Sequence, residues 1–192
     1  MGVGALEVAD ILTEKIGYRV ADREVIEHIA NNANLRKKTV DFFNERYPGK
    51  MNELSALLFR EKSFIMNNYA RHLFSTIYAV ADSETTIFVG RGAHLIVPRD
   101  LVIAVRFICS RSYRVKRLAK ILKVEEEIAD KKVDGVDKGQ RDFFKKVFGK
   151  KDVTPYEFDI VINVDFITQP KWAAEVVYQA FKEKFKGFDA GT

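Results

Sequence analysis

The sequence predicts an α/β protein built on a parallel sheet, and three observations carry that reading. Helix, strand and helix signals follow one another early in the chain, over Ala5–Ile16, Tyr18–Ala21 and Arg23–Asn31. Two strand-like runs, Thr85–Val89 and Leu101–Ile108, are followed by glycines or arginines instead of a hairpin turn. A last strand, Phe158–Val164, stands ahead of a final helix opened by Pro170. A length of 192 residues fits one core, so a single domain over 1–192 with an insertion is expected.

Along the chain, the first helix carries Val8, Ile11, Leu12 and Ile16 on its apolar side and stops at Gly17. Asp22 stands where its carboxylate would cap the helix from Arg23. From Lys37 to Ala81 apolar residues recur at helical offsets, as in Leu54, Leu57, Leu58 and Phe59, then Ile65, Tyr69, Leu73, Ile77 and Val80. Pro48-Gly49 marks a turn within this stretch, which reads either as a helical insertion beside the sheet or as a movable substrate arm. After the strand to Ile108, Ser110 or Ser112 caps a helix over Tyr113–Leu122. A second helix runs from Val124 to about Lys132, acidic at its start and basic at its end, as the helix dipole favours. Asp137–Lys151 reads as helical and then turned, and Gly187 ends the helix that Pro170 opens. Four strands are the most this pattern supports.

Composition narrows the function classes. With 47% hydrophobic and 31% charged residues the chain is a folded protein and not a disordered one. Its 32 Lys and Arg against 27 Asp and Glu give +5, which favours anionic ligands without separating a nucleotide from a nucleic acid. No helix carries a long basic stripe and the aromatics lie among leucines at helical spacing, so nucleic-acid binding is the weaker reading. Cys109 is the single cysteine, which excludes an intrachain disulfide and a cysteine metal site and fits a reducing, cytoplasmic setting. The apolar runs are too short for a membrane helix, and Glu7 and Asp10 interrupt any secretory signal. The three histidines show no ligand spacing, so no protein metal site is expected.

Five groups of residues point to phosphate chemistry. Gly2, Val3, Gly4 and Ala5 form a glycine-bearing turn that feeds a helix, which is half of a phosphate-binding loop. Ala5, Leu6 and Glu7 stand where such a loop would continue with lysine and a Ser/Thr. Gly90-Arg91-Gly92 follows a strand, at the edge where open parallel sheets bind ligands, and Arg91 can clamp a phosphate there. The alternative is a turn with a solvated arginine. Replacing Arg91 by alanine is expected to weaken monophosphate binding and to leave stability nearly unchanged. Arg111, Arg114 and Arg117 recur every three residues, and either meet an anion or lie on the surface over their apolar stems. Asp134, Asp137, Lys138 and Arg141 form a charged set in which Asp137 and Arg141 either pair across one helical turn or belong to a closing lid. Asp22 is first of all a helix cap, and Arg23 beside it can add a phosphate contact.

These motifs occur in a familiar order. Tyr18-x-x-Ala-Asp22-Arg23-Glu24, Val89-Gly90-Arg91-Gly92-Ala93, Arg111-x-x-Arg114-x-x-Arg117, Asp137-Lys138-x-x-Arg141 and Tyr156-Glu157-Phe158-Asp159-Ile160-Val161-Ile162-Asn163 resemble the cytidylate-kinase-like family of P-loop proteins over nearly the whole chain. The resemblance implies a three-layer α/β/α kinase fold, with a helical monophosphate-binding insertion over 31–83 and a lid-like region over 123–151. It implies ATP as phosphoryl donor, CMP, dCMP or a similar acceptor, and Mg2+ bridging the phosphates. Arg91 would grip the acceptor monophosphate beside Gly90, Asp22 and Arg23. Arg114, Arg117 and Arg141 would steady the donor phosphates, and Asp137 would position the lid or its arginine.

The chain departs from that pattern at its start. The upstream central strand and the first half of the loop are missing, for which truncation or a start assigned too far downstream is the expectation, with natural loss as the alternative. Activity of the chain as it stands is therefore expected to be impaired or absent. The rival reading is a catalytically inactive regulatory or scaffolding protein that keeps the fold, with homo-oligomerisation following from unpaired sheet backbone.

Overall fold

Six helices and four short strands make up the described residues, in the order α1 (Ala5–Ile16), β1 (Arg19–Ala21), α2 (Arg23–Asn31), α3 (Asn68–Ser83), β2 (Thr86–Phe88), β3 (Val105–Ile108), α4 (Arg111–Leu122), α5 (Glu126–Phe148), β4 (Ile160–Asn163) and α6 (Pro170–Lys184). The structure is a computed structural model and describes residues 2–32, 68–150 and 153–186, with Lys38, Asp41 and Glu45. Of the expected insertion, Leu54, Leu57, Leu58, Phe59, Ile65 and the Pro48-Gly49 turn lie outside the described residues, as does Gly187. Backbone contacts divide the chain into two units, one formed by Met1–Tyr18, Arg99–Asp137 and Pro155–Thr192, the other by Arg19–Pro98 and Lys138–Thr154.

In the first unit β3 and β4 pair in parallel, from Val105 opposite Ile160 to Ile108 opposite Asn163. The strand expected from Leu101 begins only at Val105, because side chains tie down the residues before it. Asp159 accepts from the Ala104 backbone N–H at 2.7 Å and from Arg99 at 2.8 Å, while Lys184 donates to the carbonyls of Arg99 and Val102. Past the other end, Ser110 donates through its N–H and its hydroxyl to Asp165, and its Oγ accepts from the Tyr113 N–H at 3.3 Å. Ser110 is thus the cap of α4, whose first residue is Arg111 and not Tyr113. Helix α4 buries Val115 and Leu118 against Ala129 and Val133 of α5. Helices α1 and α6 pack together, closed by the Lys15–Glu175 ion pair at 2.8 Å and the edge-on contact of Tyr18 with Phe181.

The two helical pieces expected over Val124–Lys132 and Asp137–Lys151 are one helix, α5. Gly135 and Gly139 lie inside it with nothing near the place a side chain would take, so they weaken the helix without stopping it.

The second unit pairs β1 with β2 in parallel, Arg19 opposite Thr86 to Ala21 opposite Phe88. Asp22 caps α2 as the sequence implies, accepting from the N–H groups of Glu24 and Val25 at 2.9 Å. Ile26 of α2 and Leu73, Phe74 and Ile77 of α3 are fully buried. Phe148 stacks on Phe74 with ring centroids 5.5 Å apart, and Phe143 and Phe144 complete the aromatic cluster. This cluster dictates a glycine at position 92. A Cβ there would lie 2.5 Å from the fully buried Phe148 ring, and the residue has φ 71°.

Gly92→Ala is expected to destabilise the protein by about 2–4 kcal/mol in denaturant unfolding, from overpacking added to left-handed strain. Gly135→Ala, by contrast, is expected to stabilise it by up to about 1 kcal/mol, since the added methyl meets nothing and only helix propensity changes. Equal effects of the two substitutions would refute this assignment.

Candidate functional site

The glycine-arginine-glycine turn is built by the end of β2. Val89 still donates to the Ala21 carbonyl at 3.0 Å, and then Gly90, Arg91 and Gly92 take φ values of 89°, 55° and 71° in succession. Left-handed backbone at the arginine costs about 1–2 kcal/mol. The turn carries the Arg91 side chain inward, where it is only 9% exposed. Its guanidinium lies 4.3 Å over the Phe143 ring, its Nη2 donates to Glu27 Oε1, and its buried Nε has no partner among the described residues. Burial pulls the Arg91 pKa below its ordinary value, with Glu27 among the charges opposing the shift, and the group remains a cation.

Glu27 of α2 is the centre of this cluster. It faces Arg91, lies 3.5 Å from Arg23 Nε one helical turn away, and shares a side-chain hydrogen bond with Tyr69 of α3. Burial pushes the Tyr69 hydroxyl up, so it serves as a donor at neutral pH. Asp22 is occupied by its capping role, and Arg23 is 70% exposed.

In the first unit the arginines of α4 occupy one face and each meets a carboxylate. Arg111 bridges Asp130 and Asp134 at 2.7 Å. Arg114 places both terminal nitrogens on Asp137, at 2.9 and 2.5 Å. Arg117 donates through Nη2 to Glu7 and shares a side-chain hydrogen bond with Tyr113, and its buried Nε has no partner among the described residues. Hydrogen bonding to these carboxylates raises the pKa of all three guanidiniums. The N-terminal glycines lie against the same face. A Cβ on Gly2 would sit 3.5 Å from Arg114 Cβ, and one on Gly4 3.4 Å from Arg117 Nη2. Val3, Gly4, Glu7, Tyr113, Arg117 and Thr168 line a shallow pocket there.

The sequence profile of the cytidylate kinase-like family matches residues 1–165 of the chain. The chain belongs to the cytidylate kinase-like family. A solved structure of an uncharacterized protein from Eubacterium ventriosum shares the fold with a TM-score of 0.71 at 18% identity, over 95% of this chain and 93% of that one. No curated protein matches the chain. Among the described residues, no helix is long and apolar enough to cross a membrane.

Within this kinase-like chain the expected site residues fall into two local sets. Gly90, Arg91, Arg23 and Asp22 belong to the second unit, and Gly2, Val3, Gly4, Ala5, Arg114, Arg117 and Asp137 to the first. Arg141 is an exposed residue of α5 in the second unit. Asp137 contacts Arg114 through a two-pronged ion pair, a cross-helix partner that the spacing of the charged set does not reveal. Sequence reasoning missed Glu27, Tyr69 and Phe143. The one signal available was Glu27 four residues after Arg23.

The Arg114–Asp137 pair is partly exposed, at 18% and 27%, so its weight lies between that of a surface pair and a buried one. Asp137→Asn is expected to cost about 1–2 kcal/mol in denaturant unfolding. A loss under about 0.5 kcal/mol would demote the pair to a surface contact.

Proposed function

We propose that the chain is a nucleoside-monophosphate-kinase-like phosphotransferase that moves a phosphoryl group from ATP to CMP, dCMP or a similar monophosphate. One observation carries the reading. Arg91 is held in left-handed backbone, is nine-tenths buried, and keeps a buried Nε–H without a partner. An unmet buried donor costs about 1–3 kcal/mol, and the chain retains it at the C-terminal end of a parallel strand, where a two-oxygen anion would satisfy it.

On this reading Arg91 grips the acceptor phosphate, with Gly90 allowing close approach and Arg23 adding charge. Arg117 offers an unpartnered Nε beside Gly4 for donor phosphates. Arg114 serves the donor by exchanging Asp137, and Arg141 is the candidate arginine of the 123–151 lid-like region. The 31–83 segment is the acceptor-binding insertion. Mg2+ arriving with ATP would supply charge neutralisation at the transferring group. Catalysis then rests on alignment and electrostatics, which is what arginine clamps provide.

Glu7 on Arg117 favours a second reading. A carboxylate stands at the guanidinium a donor phosphate would use, as an inactive, oligomeric kinase-fold scaffold would tolerate.

Calorimetry with CMP and ATP tests both readings. Arg91→Ala is expected to weaken CMP binding at least tenfold, and Arg117→Ala to weaken ATP binding at least fivefold. Binding of neither nucleotide to the native chain supports the scaffold, and unaltered CMP affinity in Arg91→Ala removes Arg91 from the site. The sequence-based expectation that Arg91→Ala spares stability does not hold here. Removing the side chain takes one ion-pair partner from Glu27 and uncovers the Phe143 ring, so about 1–3 kcal/mol of stability goes with it.

A further inference from the structure

The geometry points to Glu27 as an internal competitor for the anion site of Arg91: acceptor binding is an exchange in which a phosphate displaces the Glu27 carboxylate from the guanidinium. This rests on the acceptor-phosphate reading of Arg91 and adds to it the residue that sets its affinity.

Three features carry the inference. First, Glu27 engages Arg91 through one nitrogen only and leaves Nε unmet, so the pair is an incomplete use of a fork built for two oxygens. A phosphomonoester brings three acceptor oxygens and a charge of about −1.5 to −2 at neutral pH, so it can take both Nε and Nη2 and outbid a single carboxylate oxygen. Second, Glu27 can let go. The carboxylate is 28% exposed and keeps two other partners, Arg23 and the Tyr69 hydroxyl, so losing Arg91 does not strand a buried charge. Third, Arg91 cannot follow Glu27 away. Its position is set by the left-handed turn between Gly90 and Gly92 and by the Phe143 ring, so the guanidinium stays in place while its counter-ion changes.

Such an exchange lowers affinity for every anion by the strength of the Glu27 contact. Ligands that offer one weak oxygen do not displace it, whereas a monophosphate does. Tyr69 acts as the positioning group that receives the displaced carboxylate.

CMP affinity measured by calorimetry in native protein and in Glu27→Gln, Glu27→Asp, Tyr69→Phe and Arg91→Ala tests the exchange, with cytidine as the ligand lacking phosphate. Glu27→Gln is expected to bind CMP at least fivefold more tightly with cytidine unchanged. It should also show a steeper loss of affinity with salt, because binding now creates an ion pair instead of replacing one. Glu27→Asp keeps the charge but shortens the reach, and should tighten CMP binding in the same direction by a smaller factor. Tyr69→Phe should weaken CMP binding two- to threefold in the native background and have no effect in the Glu27→Gln background. Unchanged or weaker CMP binding in both Glu27 variants overturns the competitor role. If Arg91→Ala abolishes CMP binding while the Glu27 variants do not tighten it, the exchange fails and the acceptor reading stands. If Arg91→Ala leaves CMP binding intact, the acceptor reading itself fails.

Discussion

A guanidinium taken out of water needs a counter-charge, and that requirement orders every part of the candidate site. Arg91 has Glu27, Arg114 has Asp137, Arg117 has Glu7, and Arg111 has Asp130 with Asp134. Each carboxylate comes from a helix other than the one, or the turn, that bears its arginine. The pairs therefore fix local packing as well as charge. In the first unit they hold α4 against α5 and against the start of α1. In the second they hold the strand-end turn against α2. A chain with net charge +5 has cations to place, and it places these where anions of its own are already waiting.

Backbone conformation decides which arginine goes deepest. Residues 90–92 form the one described stretch in which three consecutive residues take positive φ, with a non-glycine in the middle. Gly92 is held there by the Phe148 ring, and Phe148 by Phe74, so the aromatic core of the second unit reaches directly to the turn that aims Arg91. Core packing and the candidate site share residues here. A change in the aromatic cluster would act on the turn that carries Arg91 without touching the arginine.

The features legible in the sequence were those that depend on near neighbours. Asp22 two and three residues before the N–H groups it caps, Gly17 at the end of α1 and Ser110 ahead of α4 follow from local chemistry, and the structure has all three. The spacing of Arg111, Arg114 and Arg117 put them on one helical face for the same reason. The family followed from motif order. What spacing could not supply were the partners: Glu27 lies 64 residues from Arg91, Glu7 lies 110 from Arg117, and Asp137 lies 23 from Arg114. Those contacts are made by the fold. The early start of α4 and the unbroken α5 were missed because a hydroxyl cap and a helix-tolerated glycine leave ambiguous local signals, and the shortened β3 because Asp159 and Lys184 capture its leading residues.

The four arginines are not equivalently paired, and the difference separates structural arginines from available ones. Asp137 takes both terminal nitrogens of Arg114, and charged hydrogen bonds of that kind are worth about 1.5–3 kcal/mol each, so an incoming anion must replace two good contacts at once. Arg111 is spread over two carboxylates. Arg91 instead gives one terminal nitrogen to a glutamate, Arg117 bonds to Glu7 and to Tyr113, and each keeps a buried Nε unmet among the described residues. At Arg91 an anion would exchange one contact and gain a second. The same chemistry thus allows two roles: saturated pairs fasten helices, and half-used pairs beside glycines are where the proposed phosphate contacts would gain most.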